Sequence, residues 1–393
     1  MMEILVAGRT SPTAPTSDMP DDNILRLSRK HDQPLMSNPM IILMIVCLSW
    51  STCLAQDSSQ STRETSATLL SVEKIWDRAP HNGFTDLIRF QNRFYSCFRE
   101  GLDHVGGDGV IRILSSADGK SWTDEGAIGE AGIDLREAHL VIAPDGERLC
   151  LVCGGSIFGP DKKLIMRRTR LFTSPDGSTW SPPRTLLAEG DWLWRLVVNP
   201  ADNKFYGIAD NIFPKTGGPP PEESWSLKTY CSADGVDWRC EAVLDVPGQP
   251  NQATLRFLRD GRAVALVRRD DGGRLGTIGI APPPYRKWKW TTLAVRLAGP
   301  NFIELPDGTL IAGSRGFGKR ATDAHVMLYR MTEGRLNPLL KLPGGGSDCG
   351  YPGLVWHDDV LWVTYNSTQE GRTSVYLARV SLGNLPPESI REK

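Results

Sequence analysis

Ser116-Ala117-Asp118-Gly119-Lys120-Ser121-Trp122 occurs twice more in the chain, as Ser174-Pro175-Asp176-Gly177-Ser178-Thr179-Trp180 and as Ser232-Ala233-Asp234-Gly235-Val236-Asp237-Trp238. The aspartates are 58 residues apart each time (176 − 118 = 234 − 176). A fixed period of this length marks a repeat architecture. In each copy Asp-Gly supplies a tight turn with positive φ, the Ser and Asp side chains accept backbone N–H groups, and Trp anchors the turn on its neighbour. The boxes therefore read as scaffold without chemistry of their own.

A second repeat interleaves with the first. Apolar hairpins surround polar turns at Leu87–Phe98, Leu140–Val152, Leu196–Ile208, Leu255–Val267, Phe302–Ala312 and Leu354–Tyr365. Runs such as Ala263-Val264-Ala265-Leu266-Val267 are apolar on both faces, as in strands buried between neighbouring sheets. Each hairpin precedes another strand pair. The box falls there in three units, is reduced to Pro282-Pro283-Pro284-Tyr285-Arg286-Lys287-Trp288 in the fourth, and is lost in the fifth and sixth. The expected fold is all-β, a six-bladed β-propeller of four-stranded antiparallel blades spanning 73–393 as one domain. A β-sandwich with an accessory module accounts less well for the period.

Composition agrees: Gly 39, Pro 28 and Trp 12 in 393 residues suit short strands and tight turns. A net charge of −1 gives no electrostatic case for a nucleic-acid or membrane-surface partner. Residues 1–35 read as disordered or as a mis-assigned start, 36–55 as a secretory signal with cleavage after Ala55, and 56–72 as a linker. The apolar run Ile41–Leu48 is too short to span a bilayer. The expected location is exported, periplasmic or extracellular, with a lipoprotein anchor at Cys53 the lesser reading. Export permits disulfides, and Cys231 with Cys240, either side of the third box, are a candidate cross-strand pair. Cys150 and Cys153 point to opposite faces of one strand.

In such a fold the first strand of each blade lines the channel, and its entry end opens on one face. The entries carry His81 and Asp86, then Asp134, Arg136 and Glu137, then Trp194 and Arg195, then Asn251 and Gln252, then Asn301, then Tyr351. Returning ends carry Arg99, Glu100, Asp210, Arg268, Arg269, Asp270, Arg315 and Asn366, and the loop after Arg99 adds His104 and Asp108. Salt bridges between blades around a wet channel account for part of this set. Several arginines in one pocket suit bidentate capture of a carboxylate, hence an acidic sugar or similar anion.

The boxes, with His81-Asn82-Gly83-Phe84-Thr85-Asp86-Leu87, Trp192-Leu193-Trp194-Arg195, Asn251-Gln252-Ala253-Thr254-Leu255-Arg256, Gly299-Pro300-Asn301-Phe302 and Gly353-Leu354-Val355-Trp356, resemble the Asp-box (BNR-repeat) propellers of the sialidase superfamily. Together they look like a bacterial group of secreted proteins labelled exo-α-sialidase or sialidase-like. The resemblance implies a tyrosine nucleophile assisted by a carboxylate, an aspartate acid/base and three arginines on the substrate carboxylate. By position it assigns Tyr351 as nucleophile, Asp108 as acid/base with Asp86 in reserve, and Arg268 and Arg315 as two of the arginines. Two positions depart from the pattern. Gly83-Phe84 replaces the first arginine, leaving Arg99 or Arg136 to substitute. Gln252 stands where the activating glutamate is expected and an amide takes no proton, leaving Glu100, Asp86 or Glu137 as base. Trp194 offers a face for a sugar ring, with Arg195, Asn301 and His104 nearby.

The expected function is an exported glycoside hydrolase acting on a terminal acidic sugar of a glycan, needing no metal or cofactor. The alternative, argued from Gln252, is a carbohydrate-binding propeller that does not hydrolyse.

Overall fold

The computed structural model describes residues 67–107, 109–211, 225–320 and 322–383. The expected start region, export signal and first part of the linker lie outside the described residues, as does Asp108. Twenty-four strands among the described residues form six four-stranded antiparallel sheets. β1 (Ala67–Trp76) comes first in the chain and is taken up below. The first blade comprises β2 (His81–Phe90), β3 (Arg93–Gly101), β4 (Val110–Ser116) and β5 (Thr123–Ile128). The second runs through β6 (Asp134–Ile142), β7 (Leu149–Phe158), β8 (Leu164–Ser174) and β9 (Arg184–Leu186), and the third through β10 (Asp191–Asn199), β11 (Lys204–Asn211), β12 (Ser226–Ser232) and β13 (Arg239–Leu244). β14 (Pro250–Phe257), β15 (Ala263–Arg269), β16 (Leu275–Ala281) and β17 (Lys289–Arg296) make the fourth. The fifth holds β18 (Asn301–Glu304), β19 (Leu310–Gly316), β20 (His325–Thr332) and β21 (Arg335–Lys341).

The sixth blade has β22 (Gly350–His357), β23 (Val360–Ser367) and β24 (Ser374–Leu382), and its fourth strand is β1. Registers Ala67↔Leu382 and Trp76↔Val375 close the ring. β1 begins at Ala67, inside the stretch read as linker. Ala67, Leu69 and Val72 pack on the core between the last two blades, so an outer strand with one half-buried face had looked like polar linker.

The six hairpins expected from the sequence are the six inner strand pairs. Apolar clusters fill every junction between neighbouring blades. Leu140, Leu149 and Phe172 meet Ile111 and Ile113 across the first, while Leu87 and Phe94 meet Trp362 and Leu377 where the ring closes. Each side chain of an inner strand thus serves two sheets, which explains runs apolar on both faces.

The turn boxes behave as local chemistry dictates. In the second, Asp176 Oδ1 accepts from the backbone N–H of Ser178 at 2.8 Å and Thr179 at 2.7 Å, and Ser174 Oγ accepts from Gly177 N at 2.7 Å. Trp180 Nε1 donates to the Gly177 carbonyl at 3.2 Å. The reduced box of the fourth blade keeps that last contact, Trp288 Nε1 to the Tyr285 carbonyl at 3.0 Å, and Tyr285 takes the positive φ (63°) that glycine supplies elsewhere.

The candidate disulfide does not form. Cys231 lies opposite Arg239, and Cys240 opposite Tyr230, so a one-residue offset turns the two thiols to opposite faces. Cys150 and Cys153 enter two different inter-blade cores, as expected.

Candidate active site

The inner strands of five blades carry a register break at one level: Gly83/Asp86, Arg136/His139, Leu193/Leu196, Asn251/Ala253 and Gly350/Gly353. At four of these bulges the extra residue has positive φ without being glycine: Phe84 (62°), Glu137 (52°), Gln252 (46°) and Tyr351 (54°). Left-handed backbone at bulky residues costs roughly 1–3 kcal/mol each and persists where packing over-determines it. Phe84, Trp194 and Tyr351 form a buried aromatic cluster of their own.

Tyr351 is 4% exposed. Its ring meets Phe84 edge-on at 4.7 Å, and Thr85 Oγ1 donates to its carbonyl at 2.6 Å. Gly299, at φ 56°, leaves the space: a Cβ there would stand 2.6 Å from Tyr351 Cδ1. The Arg315 guanidinium lies 5.6 Å from the ring centre.

Gln252 sets the state of the phenol. Its Oε1 accepts from Arg268 Nη1 at 3.1 Å and from Gly299 N at 2.9 Å, so its Nε2 faces and donates to Tyr351 Oη at 3.3 Å. The phenol oxygen therefore accepts from Gln252, and its own proton must leave toward another group. Burial, then the charge of Glu137, push Tyr351 up to about 12, against the pull of Arg315, Arg268 and the Gln252 hydrogen bond. Ionising such a phenol at pH 7 costs roughly 7 kcal/mol, so to serve as a nucleophile it would need a base acting in the same step.

Glu137, at the bulge of the second blade, is the second titratable group of the site. It is buried, and desolvation raises it above the ordinary carboxylate range, opposed first by Arg136. It has no hydrogen-bond partner among the described residues, which leaves it available as a proton acceptor. Arg136 also has spare capacity: its buried Nη1 lacks a hydrogen bond, with Asp134 Oδ2 at 3.8 Å and the Phe84 ring centre 5.0 Å from its guanidinium carbon. Arg268 is held through Nε and Nη2 by Asp270. Arg315 is held through Nε by the Cys349 carbonyl and through Nη2 by Asp348. Arg315 thus lies at Tyr351, Arg268 at Gln252 and Arg136 at Phe84, which brings three positive charges to the bulge residues.

Several expected site residues are committed elsewhere. Arg99 is fully buried, donating to Asp134 at 2.6 and 3.1 Å and to the Asp103 carbonyl at 2.8 Å, so it fastens a loop and does not clamp an anion. Glu100 accepts from Trp76 Nε1 at 2.6 Å and from Arg112 at 2.7 and 2.9 Å, tying β1 to the first blade. Asp86 accepts from Arg195 at 2.9 Å and from Leu140 N at 2.9 Å; against the cost of burial, Arg195 leads in holding it well below the carboxylate range, which removes both Asp86 and Arg195 from proton transfer or substrate capture. Asn301 bridges Arg256 and the Pro352 carbonyl. Trp194, 1% exposed, lies beneath Tyr351 against His139 and offers no free face.

Two groups escaped the sequence reading. Arg167, from β8, stacks over Trp192 at 4.3 Å and donates to Asp210 at 2.7 Å, while Asp210 also accepts from Gln252 N at 3.2 Å. Asp348, three positions before Tyr351, accepts from His81 Nε2 at 2.7 Å, His104 Nδ1 at 2.8 Å and Arg315 at 2.5 Å. Its place just ahead of the sixth hairpin was the available signal. His81, His104 and Asp348 are the one group among the described residues with the ligand set for a cation. Both ring nitrogens already sit at hydrogen-bond distance from one carboxylate oxygen and Arg315 brings a full positive charge, which suits a hydrogen-bonded cluster better than a divalent ion.

No protein-family model matches the chain, and no curated protein does. Among solved structures it is similar to a protein of unknown function from Dyadobacter fermentans, at 16% identity and TM-score 0.69 over 81% of this chain and 99% of that one. It is also similar to an α-L-arabinofuranosidase from Fusarium graminearum (14%, TM-score 0.60, 81% and 99%) and to a sialidase from Streptococcus pneumoniae (10%, TM-score 0.59, 79% and 70%). The chain therefore shares its six-bladed, four-stranded propeller fold with glycoside hydrolases of more than one specificity.

Proposed function

We propose that the protein is an exported glycoside hydrolase of sialidase-like type, cleaving a terminal acidic sugar with Tyr351 as nucleophile. The observation that carries this reading is the buried Tyr351 phenol, whose oxygen accepts from Gln252 with Arg268 and Arg315 close by, together with the buried Glu137 at the bulge of the second blade, a carboxylate without a hydrogen-bond partner among the described residues. Glu137 takes the phenol proton as Tyr351 attacks the anomeric carbon. Gln252 Nε2 remains on the phenol oxygen and steadies it as leaving group in the second half-reaction. Arg136, Arg268 and Arg315 receive the sugar's carboxylate. The acid/base belongs to the loop between β3 and β4, which contains both Asp108 and His104.

A second reading has its own observation. Gln252 is fixed with its amide donor toward Tyr351, and the same pocket without proton transfer would bind an acidic sugar and leave it intact. Release of 4-methylumbelliferone from a panel of glycosides, sialic acid and uronic acids included, separates the two. Turnover by the wild-type protein that Tyr351→Phe abolishes supports the hydrolase. Silence across the panel from folded protein, with acidic sugars still bound, supports the binder.

A further inference from the structure

Asp348, just ahead of β22, gathers four donors from the first, fifth and sixth blades. Its Oδ2 takes His81 Nε2 and His104 Nδ1, and its Oδ1 takes Arg315 Nη2 and, at 3.4 Å, Asn366 Nδ2. A carboxylate in that company is ionised and can only accept, so the proton on His104 is on Nδ1 and the opposite nitrogen, Nε2, is left for exchange. The two histidines differ in access. His81 is 7% exposed at the side chain, whereas His104 is 39% exposed. His104 borders the aromatic cluster: its ring lies 4.9 Å from Phe84, which lies 4.7 Å from Tyr351.

The loop is built to hold that ring in place. Asp103 Oδ1 accepts from His104 N at 2.7 Å, Asp103 Oδ2 from Lys162 at 2.9 Å, and the Asp103 carbonyl from the buried Arg99. A solvent-facing histidine without a task needs no fastening from two blades. The charged and titratable groups facing it are Asp348, His81, Arg315, Asp103, Lys162 and Glu137.

Resting on the hydrolase reading, we infer that His104, oriented by Asp348, is the catalytic acid/base. In the first half-reaction the glycosidic C–O bond breaks as the Tyr351 O–C bond forms. Nε2–H of the His104 imidazolium passes its proton to the departing oxygen, and the phenol proton goes to Glu137. In the second, neutral His104 takes a proton from the attacking water, the Tyr351 O–C bond breaks, and Glu137 returns its proton to the phenolate. Protons and electron pairs balance over the cycle, with one water consumed. Asp348 acts through His104 and is a positioning residue.

Leaving-group dependence tests this, using the 2,4-dinitrophenyl and methyl glycosides of whichever acidic sugar the panel identifies. The phenolate of the first departs without a proton and the methoxide of the second does not. His104→Ala is expected to slow the methyl glycoside by about 10²–10⁴-fold while glycosylation by the dinitrophenyl glycoside stays within about tenfold, with added azide accelerating the second half-reaction. His104→Asn repeats the comparison should the alanine variant unfold. Wild-type rates on the methyl glycoside in these variants, with Asp108→Ala slow instead, overturn the role of His104 and leave the nucleophile standing. Stoichiometric zinc retained by the purified protein overturns it as well, because both ring nitrogens at Asp348 would then be ligands. Absence of turnover from the wild-type protein on every glycoside removes the hydrolase reading and this role together.

Discussion

At the scale of single residues the site is a contest over one proton. Tyr351 is too buried to ionise alone, and Gln252 donates where a glutamate would accept, so the proposed hydrolase assigns the phenol proton to the buried Glu137. Its raised affinity for protons has a definite sign. A base works ionised, so kcat/KM rises with pH through a point above the usual carboxylate range. Glu137→Gln is expected to lower kcat/KM by about 10²–10⁴-fold and to remove that acidic limb. A pH–rate profile of the two proteins checks it, and an unchanged limb in the variant would assign the base elsewhere. Residue type alone did not separate this carboxylate from Asp86 or Glu100. All three lie on inner or second strands near the channel mouth, and only their partners distinguish them: Asp86 has Arg195, Glu100 has Arg112 and Trp76, and Glu137 has no hydrogen bond among the described residues.

At the scale of elements, the bulge presents the chemistry. An inner strand in plain register would turn alternate side chains into the blade interfaces, whereas one extra left-handed residue aims Phe84, Glu137, Gln252 and Tyr351 together. None of these is glycine, so the strain was not visible in the sequence, although Glu137, Gln252 and Tyr351 did fall at the strand entries. Gly299 is the complement of the Tyr351 bulge. Gly299→Ala adds a methyl 2.6 Å from the Tyr351 ring at a positive φ. It is expected to cost about 1–2 kcal/mol in thermal unfolding and to lower kcat by more than that loss of fold explains, since a displaced nucleophile is penalised steeply. Equal kcat in a less stable variant would show that the ring relaxes without moving its oxygen. The turn boxes were legible because a seven-residue stretch contains the donors and acceptors that close the turn. Arg167 was not, because it reaches the site from a third strand by stacking on Trp192.

At the scale of the whole molecule, the ring is held by apolar junctions between blades and by buried polar ties around its axis. Burial, aided by Arg195, pushes His139 down to about 4, so in the folded protein it stays neutral where the unfolded chain takes up a proton. The unfolded state then binds more protons between pH 6.5 and 4, and stability falls as pH drops through that window, by about 3 kcal/mol for this group. Chemical denaturation at pH 7 and pH 4.5 measures the loss. His139→Phe, which retains packing on Trp194, is expected to flatten the window, and an unaltered pH dependence would mean that other groups set it. The blade count was readable from length, period and apolar hairpins together; the ring closure by β1 was not, because an edge strand is half exposed and it pairs the first described strand with the last.

The proposed nucleophile forms a covalent bond through one oxygen, that of Tyr351. Intact-protein and peptide mass spectrometry reads that bond after reaction with a ring-fluorinated, activated glycoside of the acidic sugar that the panel identifies, fluorine slowing hydrolysis of the intermediate. An added mass of one glycosyl unit is expected on the peptide containing Tyr351, absent in Tyr351→Phe. Turnover of the parent glycoside with the label on Glu137, or with no label on any residue, would contradict it.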